Sequence, residues 1–260
     1  MGRFLNPDYS AFETALNSEI YIDKTGLLAY TNKVINTKQA FICNSRPRRF
    51  GKSVTADMLT AYYSKGCDSA DIFADYEISH AGDFRQHLNK YDVIHLDIQW
   101  CLAPAKGAAG VVSYIEKSVI AELKEKYPDI KIINTASPFA AGGEYERGWK
   151  SARENHSDLI DEHYYMSPEW FIANQHRYDN MGKDDPKVFL GEYATWGNTW
   201  YNALIEASYM IGLERNAGNV AMACYAPMLC NVDYVNWKPD MIWFNNHQAF
   251  GTPNYYVQSM

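Results

Sequence analysis

Lys187-Val188-Phe189-Leu190-Gly191-Glu192-Tyr193-Ala194 is an apolar run that closes on a carboxylate. Its core shows neither strict alternation nor a helical period, so both faces are suited to burial, as in a strand of a parallel sheet covered by helices. Lys131 to Ala136, Leu159 to Tyr165 and Val220 to Ala226 are further strand candidates, and the four recur at a beat of about thirty residues. Helical segments lie between them. Glu169 to Asn180 is one, and Thr199 to Arg215 is clearer, with Ala203, Leu204, Ala207, Met210 and Ile211 close to helical spacing. This rhythm implies a parallel α/β sheet, either closed as a barrel or open.

The chain before residue 130 also reads as strand and helix, but with a different chemistry. Ala40 to Asn44 is a short strand-type run, and Lys52 to Ser64 carries Val54, Met58, Leu59 and Tyr62 on one helical face. Between them lies Arg46-Pro47-Arg48-Arg49-Phe50-Gly51-Lys52-Ser53. A loop of this kind binds phosphate because backbone N–H groups converge at a helix N-terminus, where the helix dipole adds to the attraction. Gly51 permits the turn, Lys52 neutralises phosphate charge and Ser53 ligates Mg²⁺. Arg46 stands where the usual pattern begins with glycine. Asp92 to Ile98 is a second buried-strand candidate, whose Asp97 is placed to orient Mg²⁺ and water. The bland alternative makes Lys52 and Ser53 ordinary helix-start residues and Asp97 a strand-end cap. Val112, Ile115, Val119 and Leu123 mark a later helix ending near Tyr127-Pro128.

Composition changes across Tyr127-Pro128-Asp129-Ile130. Of seven tryptophans only Trp100 precedes this point. Lys plus Arg against Asp plus Glu is 15 against 16 up to residue 130 and 9 against 15 beyond it, giving the overall −7. An acidic balance argues against nonspecific nucleic-acid or anionic-membrane binding, while Arg46, Arg48, Arg49 and Lys52 can still hold a small anion. Five cysteines without a CxxC pair indicate neither a disulfide framework nor a zinc site. With no apolar signal-peptide core near the start and no run long enough to span a bilayer, the expected location is cytoplasmic.

Glu192 ends its strand, and His163 and Tyr165 end the preceding one, so all three are candidates for a common mouth. A glycosidase of the retaining kind needs a carboxylate nucleophile and a second carboxylate as general acid/base, about 5 to 5.5 Å apart. Glu192 suits the first role. Trp196 and Trp200 are placed to stack on sugar C–H faces, or simply to fill core. Glu162 and Glu169 are nominal second carboxylates, but Glu162 alternates away from the face of His163.

Two resemblances follow from these residues. Ile20-Tyr21-Ile22-Asp23-Lys24-Thr25, the 45–53 loop, Ala61-Tyr62-Tyr63 and Tyr91 to Asp97 together resemble the bacterial predicted AAA-ATPase-like family over about residues 4 to 130. That family carries Arg at the place of the first loop glycine. The resemblance implies ATP and Mg²⁺ at Arg46, Gly51, Lys52, Ser53 and Asp97, with Ser53 and Asp97 on the metal. From about Tyr127 onward, Asp161 to Phe171, Lys187 to Ala194, Gly212 to Asn216, Tyr225-Ala226-Pro227, Asn231 to Tyr234 and Thr252 to Gln258 resemble α-L-arabinofuranosidases of glycoside hydrolase family 51. This implies a (β/α)8 barrel acting on terminal arabinofuranosides with retention, Glu192 as nucleophile, and His163 and Tyr165 orienting nucleophile and sugar. The family's acid/base is the Glu of an Asn-Glu pair on an earlier strand, and no Asn-Glu occurs in this chain.

The expected architecture is therefore α/β throughout: a partial P-loop NTPase-like sheet in residues 1–130, then the second half of a (β/α)8 barrel in residues 131–260. Expected ligands are an arabinofuranoside-type carbohydrate, ATP, or both. Two shortened signatures meeting at one short string suggest a chimeric chain, expected to perform neither parent's reaction well and at best to bind sugar weakly.

Overall fold

The computed structural model describes residues 2–260 and divides into two compact units, Met1–Pro128 and Asp129–Met260.

The first unit is built on helices: α1 (Ser10–Leu16), α2 (Gly26–Val34), α3 (Lys52–Tyr63), the short α4 (Phe84–His87) and α5 (Ile98–Leu102), and α6 (Val111–Lys126). Phe12, Leu28, Met58, Tyr62, Phe73 and Ile78 form its buried centre. The adjacent Tyr62 and Tyr63 are buried with their hydroxyls satisfied. Tyr62 donates to the Phe84 carbonyl at 2.8 Å, and Tyr63 to Asn32 Oδ1 at 2.7 Å.

The sheet expected here does not form. Among the described residues this unit has only isolated bridges, Leu5 with Ile94 and Ser64 with Tyr91. Residues 40–44 lie exposed, Phe41 at 96%. Residues 92–98 alternate between half-buried and exposed instead of being buried on both faces. A strand's N–H and C=O groups need a neighbouring strand, and residues 92–98 find only the short N-terminal segment, with Asn6 N–H donating to the Val93 carbonyl at 2.7 Å and His95 N–H to the Phe4 carbonyl at 2.9 Å.

In the second unit the βα beat becomes β1 (Ile133–Ser137), α7 (Gly143–Glu154), β2 (Leu159–Met166), α8 (Pro168–Ala173), β3 (Lys187–Thr195), α9 (Trp200–Arg215) and β4 (Val220–Tyr225). The four strands are parallel and lie in chain order. Ile160, Val188, Leu190, Tyr193 and Tyr209 are almost wholly buried in the core under the helices. The helix expected over 169–180 stops at Ala173, where Asn174 Nδ2 donates back to the Trp170 carbonyl at 2.8 Å. A small second sheet follows, β5 (Leu229–Asn231), β6 (Ile242–Phe244) and β7 (Ala249–Gly251), and the chain closes with α10 (Pro253–Gln258).

One irregularity decides where Glu192 points. Glu162 pairs with Leu190, but the next residue, His163, pairs with Glu192, so Gly191 is an extra residue in β3. Side chains alternate along a strand, and a single inserted residue reverses the parity beyond it. Leu190 and Tyr193 thus both stay buried, and Glu192 comes level with His163.

Candidate active site

Asp161, His163 and Tyr165 are alternate residues of β2 and share one face. Tyr165 donates its hydroxyl hydrogen to Glu192 Oε2 at 2.8 Å, and His163 Nδ1 lies 3.6 Å from the same oxygen. Burial pushes the Tyr165 hydroxyl well above its ordinary range, and the hydrogen bond to Glu192 adds to the shift, so the phenol remains a donor. On the far side of the imidazole, Nε2 lies 3.0 and 2.9 Å from the two Asp161 oxygens. Among the described residues no hydrogen-bond partner is recorded for Glu192 Oε1, and the side chain is 43% exposed. One carboxylate oxygen is held and the other is presented.

Aromatic rings stand beside this group. Tyr165 lies 5.3 Å from Trp237 and 6.1 Å from Trp196, centre to centre, and the two indoles are 5.2 Å apart. Both indoles keep nearly half their surface exposed, leaving faces on which a sugar can stack. Trp200 is on the first turn of α9, 68% exposed. Sequence reasoning passed over Trp237 and Asp161. Trp237 sits in an irregular stretch where no period marks it, whereas Asp161 was legible as the residue two before His163 on the same strand face.

Glu162 faces the helices. It is 1% exposed and accepts from Tyr145 Oη at 2.6 Å, Trp149 Nε1 at 2.8 Å, Tyr178 Oη at 2.8 Å and Arg177 Nε at 3.3 Å. Its four donors leave it no part in the mouth.

In the first unit, Gly51 has φ +73° and caps α3, and Lys52 and Ser53 open the helix. Lys52 Nζ donates to the carbonyls of Arg46 and Pro47 at 2.7 and 3.1 Å, and Lys24 Nζ donates to the Phe50 carbonyl at 3.1 Å. The loop is therefore curled back over the helix start, with Arg46, Gly51, Lys52 and Ser53 brought together. Asp97 is elsewhere employed: Oδ1 accepts from the N–H groups of Gln99 and Trp100, at 2.8 and 3.3 Å, as the cap of α5. It acts electrostatically on Asp57, one helical turn after Ser53. Among the described residues no group of three or more His, Cys, Asp and Glu side chains is placed to hold a metal ion.

Comparison with known proteins divides along the chain. An extracellular exo-α-L-arabinofuranosidase of Streptomyces chartreusis is 49% identical over 144 residues, 55% of this chain and 18% of that protein. Alpha-L-arabinofuranosidase 1 of Arabidopsis thaliana is 36% identical over 141 residues, 52% of this chain and 19% of its own length. The chain thus spans about a fifth of the length of these relatives. An arabinose-bound family 51 α-L-arabinofuranosidase structure overlays 92% of this chain and 40% of its own at 19% identity, with a TM-score of 0.49. Residues 191–260 match the α-L-arabinofuranosidase C-terminal domain, and residues 9–183 match the predicted AAA-ATPase model. With residues 9–183 matched, 175 of its 260, the chain belongs to the predicted AAA-ATPase family, and beyond them it carries a segment similar to the arabinofuranosidase C-terminal domain.

Proposed function

We propose that the second unit carries the nucleophile side of a retaining α-L-arabinofuranosidase site, in a chain that joins two families near Tyr127–Ile130. The observation that carries this reading is Glu192, with Oε2 held by Tyr165 at 2.8 Å and Oε1 presented to the mouth. In the proposed step Oε1 attacks the anomeric carbon, the bond to the leaving oxygen breaks, and a covalent arabinosyl ester forms on Glu192. The neighbouring carboxylate, Asp161, is tied to His163 and shares with it the strand face beside Glu192. It is therefore no proton donor to the leaving group. An aryloxide departs without a proton, whereas an alkoxide needs one, and loss of that assistance costs about 10²- to 10⁴-fold in rate.

The test is release of phenol from an activated aryl α-L-arabinofuranoside by the whole chain. A burst approaching one equivalent, slow turnover after it, and an arabinosyl adduct on the peptide containing Glu192 are expected. Glu192→Gln abolishes all three. Absence of both burst and adduct in the wild-type chain defeats the reading, and rapid hydrolysis of an alkyl arabinofuranoside defeats the claim that proton assistance is lacking.

A second reading concerns the loop over α3. The curl made by Lys52 on the Arg46 and Pro47 carbonyls, with Gly51 at positive φ, supports nucleotide-phosphate binding there. Phosphate would be held by the free N–H groups at the helix start with Arg46 and Lys52, and Mg²⁺ by Ser53 with phosphate and water completing its shell, whereas Asp97 is engaged as the cap of α5. The bound group supplies a phosphoanhydride. Titration with a fluorescent ATP analogue should show Mg²⁺-dependent binding that Lys52→Ala removes, and equal binding by the two proteins overturns this reading.

A further inference from the structure

We infer that Asp161 is a positioning residue for Glu192, acting through His163, and that Gly191 makes the arrangement possible. The inference rests on the reading of Glu192 as nucleophile.

The His163 ring has two nitrogens with different surroundings. Nε2 lies 3.0 Å from Asp161 Oδ1 and 2.9 Å from Oδ2. An ionised carboxylate only accepts, so Nε2 carries the hydrogen of the uncharged ring. Nδ1 is then the nitrogen that faces Glu192 Oε2, at 3.6 Å. In that form the nitrogen turned to the held oxygen carries no hydrogen. Asp161 fixes this by anchoring the opposite end of the ring. Its side chain is 17% exposed. Burial raises its carboxyl above the usual range, the contact with His163 opposes that rise, and the Glu192 charge adds to it. The three groups are thus electrostatically linked as well as adjacent.

Gly191 serves the arrangement twice. As the extra residue of β3 it brings Glu192 level with His163. A Cβ placed on it would stand 2.2 Å from Asp161 Oδ1 and 2.8 Å from His163 Nε2, so a side chain there separates the pair. Polar side chains pack across a strand position where only a glycine leaves room.

The test is the ¹⁵N multiple-bond spectrum of the imidazole rings in the whole chain, with His163→Gln assigning the His163 signals. The Nε2–H form of the uncharged ring should exceed the alternative by about tenfold or more in the wild type. Asp161→Ala should collapse that preference, and Asp161→Asn, whose amide oxygen still accepts, should restore it. A His163 ring protonated on Nδ1 in the folded wild-type protein overturns the inference, as does an unchanged spectrum in Asp161→Ala. Should Asp161→Ala not fold, the wild-type spectrum decides alone. No turnover is required, so loss of the arabinosyl adduct with an intact Nε2–H signature counts against the nucleophile reading and not against the role of Asp161 on the ring.

Discussion

At the scale of single residues, Tyr165 and Glu162 show how one strand serves two purposes. Tyr165 faces the mouth and donates to Glu192 at 2.8 Å. Tyr165→Phe keeps the ring on Trp237 and removes only the donor. Hydrogen bonds to charged groups are worth about 1.5–3 kcal/mol, so the burst rate should fall by about 10- to 100-fold. Stopped-flow release of the phenol measures it, and an unchanged rate would reduce Tyr165 to packing. Glu162 faces the helices, where Arg177 also lies against the rings of Tyr145, Tyr164, Trp170 and Tyr178. Glu162→Gln leaves this buried guanidinium without its counter-charge, at a cost of about 3 kcal/mol or more in urea unfolding. A smaller loss than about 1 kcal/mol would mean that solvent reaches Arg177.

At the scale of elements, α7 packs so closely on β1 that Gly148 is needed between them. A Cβ there would lie 2.5 Å from Ala136 Cα, from the Ala136 carbonyl oxygen and from the Thr135 carbonyl oxygen. In an exposed helix Gly→Ala gains about 1 kcal/mol of propensity. Here three backbone atoms must move, at about 1–3 kcal/mol, so Gly148→Ala is expected to destabilise on balance, and a raised thermal midpoint would contradict the close approach. This helix was illegible in the sequence because Gly143–Glu154 is dominated by charge, with Trp149 and Ala152 its only buried residues. Strand β3 was legible from its apolar run, β2 from its place in the beat of about thirty residues, and α9 because Thr199 caps it and its apolar residues recur near helical spacing. The bulge at Gly191 was not, since a glycine in a strand marks several possible distortions and only pairing with β2 selects one. Ala40 to Asn44 misled for the opposite reason. Its residues favour a strand, but a strand also needs neighbours, which local composition does not report.

At the scale of the whole chain, each of the two compact units has its own core, and long-range polar contacts help to close the first. In the first unit the tie is Asp92. Its carboxylate accepts from Tyr127 Oη at 2.5 Å and Asn6 Nδ2 at 2.8 Å, with Lys126 and Lys65 ammonium groups at 3.5 and 3.7 Å. It thereby joins the N-terminal segment, the turn after α3 and the end of α6. The hydrogen bonds from Tyr127 and Asn6 hold the carboxyl down at about 2, with slight burial opposing and the two lysines assisting. An unfolded aspartate titrates near 3.9. The tie is therefore complete above about pH 4 and is lost as pH falls through about 2, because the unfolded chain takes up the proton first. The side chain is 43% exposed, so solvent screening keeps this pH-dependent increment to within about 1 kcal/mol. Asp92→Asn should lower the urea midpoint at neutral pH, and the gap from wild type should narrow between about pH 4 and pH 2. Equal gaps at both ends of that window would show that the Asp92 contacts act as neutral hydrogen bonds and that its charge contributes nothing to closing the unit.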